Sequence, residues 1–331
     1  MRKILLGLLL VLVIGTAVYL HRGKKSPLEI GYAANRGVVI WNTIAAVRQP
    51  IASIDYGTRL VVLQHFEDQV KVRTPNGTVG WMNAANLLSS EFWDQTKQLD
   101  AQTAAMPVEA RGTTAVLANL HIAPGRDTAR IRQLGKLIPV EMFERRSLDV
   151  PAAAQPSVQP AADTSAPPRK EDWWLVRAQL AQNDIASGWV LGRFIRLNLP
   201  EALYDYASSA GMHPVAWFDL DRVPDGAGGT KPQYLLLGTH GPEGQPCDFS
   251  MLRVYTWSKK RQQYETAYVE SGVCGLLPVH IKPLGSNQVS FSFKLLNAGP
   301  ATEAMYRLVD TIVRRQKLSG FEAMARKRIH G

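Results

Sequence analysis

Covalent or metal chemistry in this chain would have to come from cysteine, histidine or clustered aspartate, and each is sparse. Cys247 and Cys274 are the only two cysteines, and the seven histidines stand singly, with no metal-ligand spacing. A cysteine nucleophile needs a helix N-terminus and a neighbouring histidine to hold its thiolate. Cys247-Asp-Phe-Ser250 and Val279-His280-Ile281 supply the residue types, but Cys247 follows Pro246 and precedes a β-rich run. Outside the cytoplasm the even pair favours a disulfide around a hairpin, with two buried free thiols as the alternative. Asp219-x-Asp221-x-x-x-Asp225-Gly226 offers three carboxylates on one loop. Calcium takes about six to eight oxygens, so this calcium candidate would lean on backbone and water, and a plain polar turn competes with it. No P-loop, Gly-x-Gly-x-x-Gly or Gly-x-Ser-x-Gly motif is present, and no cofactor is expected.

Binding chemistry is better represented, because one pattern occurs twice. Val70-Lys-Val-Arg73 is followed after six residues by Gly80-Trp81-Met82, and Trp174-Leu-Val-Arg177 after ten by Gly188-Trp189-Val190. Each spells a strand end, a polar turn and a strand start, which is a hairpin presenting an aromatic ring. Rigid aromatic faces with an arginine nearby suit flexible polar polymers. The candidate ligand-binding residues are Trp173, Trp81, Trp189, Arg73 and Arg177. For Trp81 and Trp189 the competing reading is core, since one large ring fills much of a tiny barrel. Trp173 is expected to face outward, because alternation sets it opposite its neighbour Trp174, a core residue by the same pattern.

Short strands must position these residues. A first barrel is expected over 36–90, from Val38-Val-Ile-Trp41, Arg59-Leu-Val-Val-Leu63, Val70 to Arg73 and Val79 to Met82, with Pro75-Asn76-Gly77 as a tight turn. Residues 21–35 read as a polar stalk and Glu91 to Leu99 as a helical turn. A second barrel is expected over 113–200, with strands in Ala115 to Ile122, Leu137 to Phe143 and Trp173 to Arg177. Ser147 to Lys170, rich in Ala, Pro and Ser, buries too little apolar surface to offset its ordering entropy, which predicts disorder. Gly57 to Arg73 spans 16 residues and the matched Gly135 to Arg177 spans 42, an excess of 26 beside the 24 of that stretch. The insertion therefore interrupts a hairpin loop. Over 204–331 six apolar runs predict a mostly antiparallel β domain, with Ala304 to Leu318 fitting either a helix or a strand. The fold class expected is mainly β.

The termini add a location. Ile4 to Leu20 are 17 uncharged residues flanked by Arg2-Lys3 and by Arg22, Lys24 and Lys25. About 17–25 apolar residues span a bilayer, so residues 1–25 are predicted to be a transmembrane signal anchor. A cleaved signal peptide is the alternative, although the run ends without a small-x-small site. Basic residues on both flanks leave the orientation open. The large body with its two cysteines places the chain as a single-pass inner-membrane protein whose body is periplasmic. The net charge of +10, with Arg314, Arg315, Lys317 and Arg326-Lys-Arg328 near the end, implies attraction to anionic surfaces. A solvated tail is the first reading and contact with anionic lipid or wall polymer the second; nucleic acid is not expected.

The tandem pattern resembles bacterial SH3 (SH3b) domains. Their usual track is Asn-Leu-Arg-x-x-Pro, a Leu-x-x-Gly turn, Val-x-Val, then a terminal Gly-Trp-Val. The second copy carries Asn119-Leu120-His121-x-x-Pro124-Gly125, Leu134-Gly135, Val176-Arg177 and Gly188-Trp189-Val190, with His121 where arginine is usual. The first keeps Tyr56-Gly57-Thr58, Val70-x-Val72-Arg73 and Gly80-Trp81-Met82, with Thr43-Ile-Ala-Ala-Val-Arg48 in place of the Asn-Leu-Arg motif. The resemblance implies two SH3-like barrels that bind cell-wall peptide, glycan or an envelope protein and carry no catalysis. The alternatives are a cell-wall cysteine peptidase of the NlpC type and a purely structural scaffold for protein partners.

Overall fold

The computed structural model describes residues 29–150, 169–181, 184–209, 211–297 and 300–316. The predicted anchor over Ile4 to Leu20, the Ala/Pro segment 151–168 and the basic tail beyond Gln316 lie outside the described residues. Among the described residues no helix is long and apolar enough to cross a membrane. The protein is mainly β, with three seven-stranded antiparallel sheets, and it divides into compact units at 1–95 and 96–331.

The first unit holds β1 (Glu29–Ala33), β2 (Val38–Trp41), β3 (Pro50–Ile54), β4 (Arg59–Phe66), β5 (Gln69–Arg73), β6 (Val79–Asn83) and β7 (Leu87–Ser89). Their order in the sheet is β3-β2-β6-β5-β4-β1-β7. Alternation sends Ile40, Leu60, Val62, Val70, Val72 and Met82 into one core. The stalk expected at 21–35 is corrected in part, because Glu29–Ala33 pairs with both β4 and β7 and closes the sheet. Gly77, at a φ of +87°, turns the β5–β6 hairpin as its Pro-Asn-Gly setting predicts. Instead of the single turn expected, α1 runs from Ser90 to Ala105, its start capped by Ser89 Oγ, which accepts the Phe92 N–H at 3.1 Å. Trp93 on this helix stacks on Tyr32, ring centroids 4.7 Å apart.

The second unit repeats that plan. It holds β8 (Ala110–Thr114), β9 (Ala118–His121), β10 (Arg130–Leu134), β11 (Pro139–Asp149), β12 (Lys170–Ala181), β13 (Asp184–Leu191) and β14 (Ile195–Leu197). Their order is β10-β9-β13-β12-β11-β8-β14, the first sheet's order with seven added to every strand. The registers agree as well: Val72 faces Gly80 and Lys71 faces Trp81, as Val176 faces Gly188 and Leu175 faces Trp189.

This equivalence corrects two matches made from sequence. Val39-Ile40-Trp41, not Thr43 to Arg48, stands where Asn119-Leu120-His121 stands, since Trp41 pairs with Trp81 and His121 with Trp189. Gly57 corresponds to Leu137, not Gly135: the Gly57 and Leu137 amides donate to the last carbonyls of β1 and β8, Ala33 and Thr114. Both sit in the left-handed region, at φ +76° and +63°. The two hairpins part company only after Phe66↔Gln69 and its counterpart Arg146↔Trp173. The first turns there, while the second runs on through Ser147↔Asp172, Leu148↔Glu171 and Asp149↔Lys170. Residues 147–149 and 170 of the segment read as disordered are therefore paired strand.

The third sheet comprises β15 (His213–Pro224), β16 (Thr230–Thr239), β17 (Phe249–Ser258), β18 (Gln263–Gly285), β19 (Gln288–Leu295), β20 (Thr302–Val309) and β21 (Ile312–Gln316), each beside its sequence neighbour. The helix-or-strand choice made for Ala304 to Leu318 falls to strand over the described residues, up to Gln316. One face of this sheet, with Leu235, Leu237, Val254, Phe291 and Tyr306, joins Val176, Ala178 and Val190 of the second sheet in a common core. The other face packs Leu236, Met251 and Tyr255 beneath Leu203 and Ala207. Cys247 and Cys274 are joined in a disulfide, the pairing favoured from their even count. Arg145 crosses from the second sheet to the disulfide loop. It donates to the Gln245 and Cys247 carbonyls at 2.9 and 3.0 Å and pairs with Asp172 at 2.8 Å and Asp248 at 3.1 Å. The strand extension beyond Phe66's counterpart is what supplies Asp172.

Candidate functional site

Equivalent positions in the two repeats line equivalent grooves. In the first, Gly37, Val39, Trp41, Gln69, Asn83 and Asn86 line a hollow of about 310 Å³ together with Arg36 and Arg48. In the second, Leu117, Asn119, His121, Trp173, Leu191 and Phe194 line one of about 320 Å³ with Arg126 and Arg193. Those six pairs match one to one in strand register. Each groove thus sets one flat ring, from the last residue of β2 or β9, among arginines and side-chain amides.

The chemistry of the two differs. In the first groove the Arg48 guanidinium lies over the Trp41 ring, 4.5 Å from its centroid, a cation–π contact that fixes a flexible side chain. Asn35 donates to Asn86 at 3.0 Å, so the rim is a polar, amide-rich surface. In the second groove His121 Nδ1 donates to the Thr128 carbonyl at 2.9 Å, which leaves Nε2 as the acceptor of the neutral ring. Its ring meets Trp173 edge to face at 5.3 Å. Glu171, on the strand extension, takes Arg126 in a two-pronged pair and Arg193 at 2.7 Å. The Arg126 guanidinium, with Arg193 assisting, holds the Glu171 carboxyl down at about 2. Glu243 takes the other edge of Arg193 at 3.4 Å, so two guanidiniums and two carboxylates meet at this rim.

The residues singled out from sequence fall differently. Trp173 does lie opposite Trp174, but it is only 2% exposed. His121 and the arginines roof its face of the strand, so it is a groove floor and not an open platform. Trp189 is a core-like residue at 5% exposure, with the Arg146 guanidinium 5.2 Å from its ring. Trp81 is half-buried beneath Lys71, whose ammonium lies 5.8 Å from the ring. Arg177 is bound to Glu141 at 2.6 and 3.0 Å, and Arg73, its counterpart, is exposed on β5. Of the five, Trp173 alone lines a groove. Trp41, Arg48, His121, Arg126 and Arg193 were not proposed as ligand residues, although His121 had marked itself by replacing the usual arginine.

The acidic loop does not gather. Asp225 accepts the N–H groups of Ala227 and Gly229 at 2.7 and 2.9 Å and so caps its own turn. Asp221 accepts the Arg222 N–H, and Asp219 stands 3.9 Å from the Arg222 guanidinium. Asp219 and Asp221 lie on β15, paired with Tyr234 and Gln233, and only Asp225 stands in the turn; among the described residues no three His, Cys, Asp or Glu side chains are placed to share a metal ion. Cys247 has no free thiol beside His280, because its sulfur is bonded to Cys274.

No family model and no curated protein matches the chain. Among solved structures, NlpC2 from Trichomonas vaginalis aligns over 53% of this chain and 50% of its own, at 11% identity and a TM-score of 0.18. The chain thus spans half the length of that protein, and a likeness so distant carries no argument.

Proposed function

We propose that this chain is a non-catalytic binding protein of the cell envelope. In this reading Ile4 to Leu20 tether it to the inner membrane, its body is periplasmic, and two SH3b-like barrels hold a cell-wall peptide or glycan. The observation that carries the reading is the pair of grooves at matched positions, each with a ring and arginines on a rigid sheet. A ring and a fixed guanidinium recognise amides, carboxylates and sugar faces at small entropic expense. The peptidase alternative loses its nucleophile to the Cys247–Cys274 bond.

Sedimentation with purified cell-wall sacculi tests this. The wild-type chain is expected to co-sediment, Trp41→Ala to weaken it, and Trp41→Ala with Arg126→Ala and Arg193→Ala to release it. Failure of the wild type to sediment turns the reading toward an envelope protein partner; undiminished sedimentation of the triple variant removes the grooves from it.

A further inference from the structure

A cavity of about 550 Å³, separate from the twin grooves, opens where the second sheet meets the disulfide loop of the third. Much of its wall is apolar, from Phe143, Leu276, Leu277 and Pro278. One carboxyl is set into that wall. Glu109 is 2% exposed, and its Oε2 accepts the Val279 N–H at 3.1 Å. Its Oε1 accepts no hydrogen bond among the described residues. Ser147, on the same wall, buries its Oγ with no partner. A buried hydroxyl oxygen without a partner, beside a carboxyl with one oxygen uncommitted, marks a place for a ligand group.

The charge of the site states which group. Asp248 and Asp172 share the guanidinium of Arg145, while Glu109, which feels the charge of Asp248, has no ion-pair partner among the described residues. Asp248 spends its second oxygen on the Leu277 N–H at 2.8 Å. The remaining charged residues of the wall are committed elsewhere, Glu144 to Arg146 at 2.7 Å and Lys170 beside Asp149 at 3.8 Å. Burial pushes Glu109 up to about 7 and is also what raises Asp248, against the pull of Arg145.

We propose that this cavity binds an aliphatic primary amine, its ammonium against the Glu109 carboxylate and its hydrocarbon against Phe143, Leu276 and Pro278. A free alkylamine and the side chain of a lysine residue share this chemistry. The proposal stands apart from wall binding by the grooves, and neither depends on the other.

Calorimetry on the full chain in detergent tests it, with hexylamine and the blocked tripeptide Ala-Lys-Ala as probes and hexanol and hexanoate as controls of equal length. At pH 8 saturable uptake of hexylamine or of the tripeptide is expected, at least tenfold tighter than hexanol; the probe that binds tells which source the site accepts. Uptake should weaken several-fold at pH 6, with a proton released on binding near pH 7. Glu109→Gln should abolish it, and so should Leu276→Trp, which fills the hollow with the carboxyl left in place. Melting curves verify that both variants fold. Equal binding of hexanol or hexanoate by the wild type overturns the proposal, whatever the variants do. Survival of hexylamine binding in folded Glu109→Gln overturns it as well.

Discussion

Trp41 and His121 occupy the same position in two sheets of identical strand order, each paired across strands with the tryptophan of a Gly-Trp dipeptide. The glycine of that dipeptide is what lets the strands approach. A Cβ on Gly80 would lie 2.6 Å from both Ile40 Cγ2 and the Trp41 carbonyl oxygen, and one on Gly188 would lie 2.5 Å from Leu120 Cγ and 2.8 Å from the His121 carbonyl oxygen. Gly80→Ala and Gly188→Ala are therefore each expected to destabilise their unit by about 1–3 kcal/mol, read as a lowered urea midpoint. An unchanged midpoint would contradict the close crossing.

Leu137 stands where its counterpart is glycine, in the left-handed region at φ +63° and with 67% of its surface exposed. A leucine there carries roughly 1–2 kcal/mol of steric strain and buries little in return. Leu137→Asn, a residue that tolerates this conformation, is expected to raise stability by about 0.5–1 kcal/mol. Thermal melting checks it, and a loss would show that the side chain packs.

Two carboxylates give opposite dependences on pH. Glu171 is lowered from 4.5 to about 2, so its contribution is full above the ordinary value and drains away as pH falls toward 2. Glu109 is raised from 4.5 to about 7, so its folded form holds a proton that the unfolded chain has given up. Stability falls as pH rises from about 4.5 to 7 and is level beyond, as far as this group decides it. Urea midpoints from pH 2 to 9 should show Glu171→Gln flattening the acid limb and Glu109→Gln the limb below 7, with Glu109→Gln more stable than wild type at pH 8.

Among the described residues Arg145 is the one cation paired with both Asp172 and Asp248, and all three are nearly buried. Arg145→Met strands both carboxylates at a loss of about 3–5 kcal/mol, seen in urea unfolding. Adding Asp172→Asn and Asp248→Asn should recover most of it. No recovery would mean that the carbonyl bonds to Gln245 and Cys247 carry the effect instead.

The strands were largely legible because period-two alternation is local: Leu60 with Val62, and Val70 with Val72, announce an inward face without help from distant chain. The cysteine pair was legible from its count, two cysteines flanking one hairpin. The closing strand Glu29–Ala33 was not, since Glu-Ile-Gly-Tyr-Ala has little pattern of its own and becomes a strand by pairing with β4 and β7. The grooves were missed for a related reason. Trp41, His121 and Trp173 come from separate strands, and only register, which the motif Thr43 to Arg48 misaligned, shows that Trp41 and His121 are counterparts. Trp173 was assigned the correct side of its strand, but alternation reports a side and not what covers it.

The order of pairing in the third sheet has a bearing on synthesis. Strands β1 and β8 cannot finish their pairing until β7 and β14 have left the ribosome, which makes each of the first two sheets an all-or-none closure. From His213 onward every strand meets a partner that has just been made, so this region can zip up hairpin by hairpin as it emerges. A stalled or clipped chain would lose strands there one at a time from the free edge, while a few residues missing near Glu29 would leave the first sheet unable to shut.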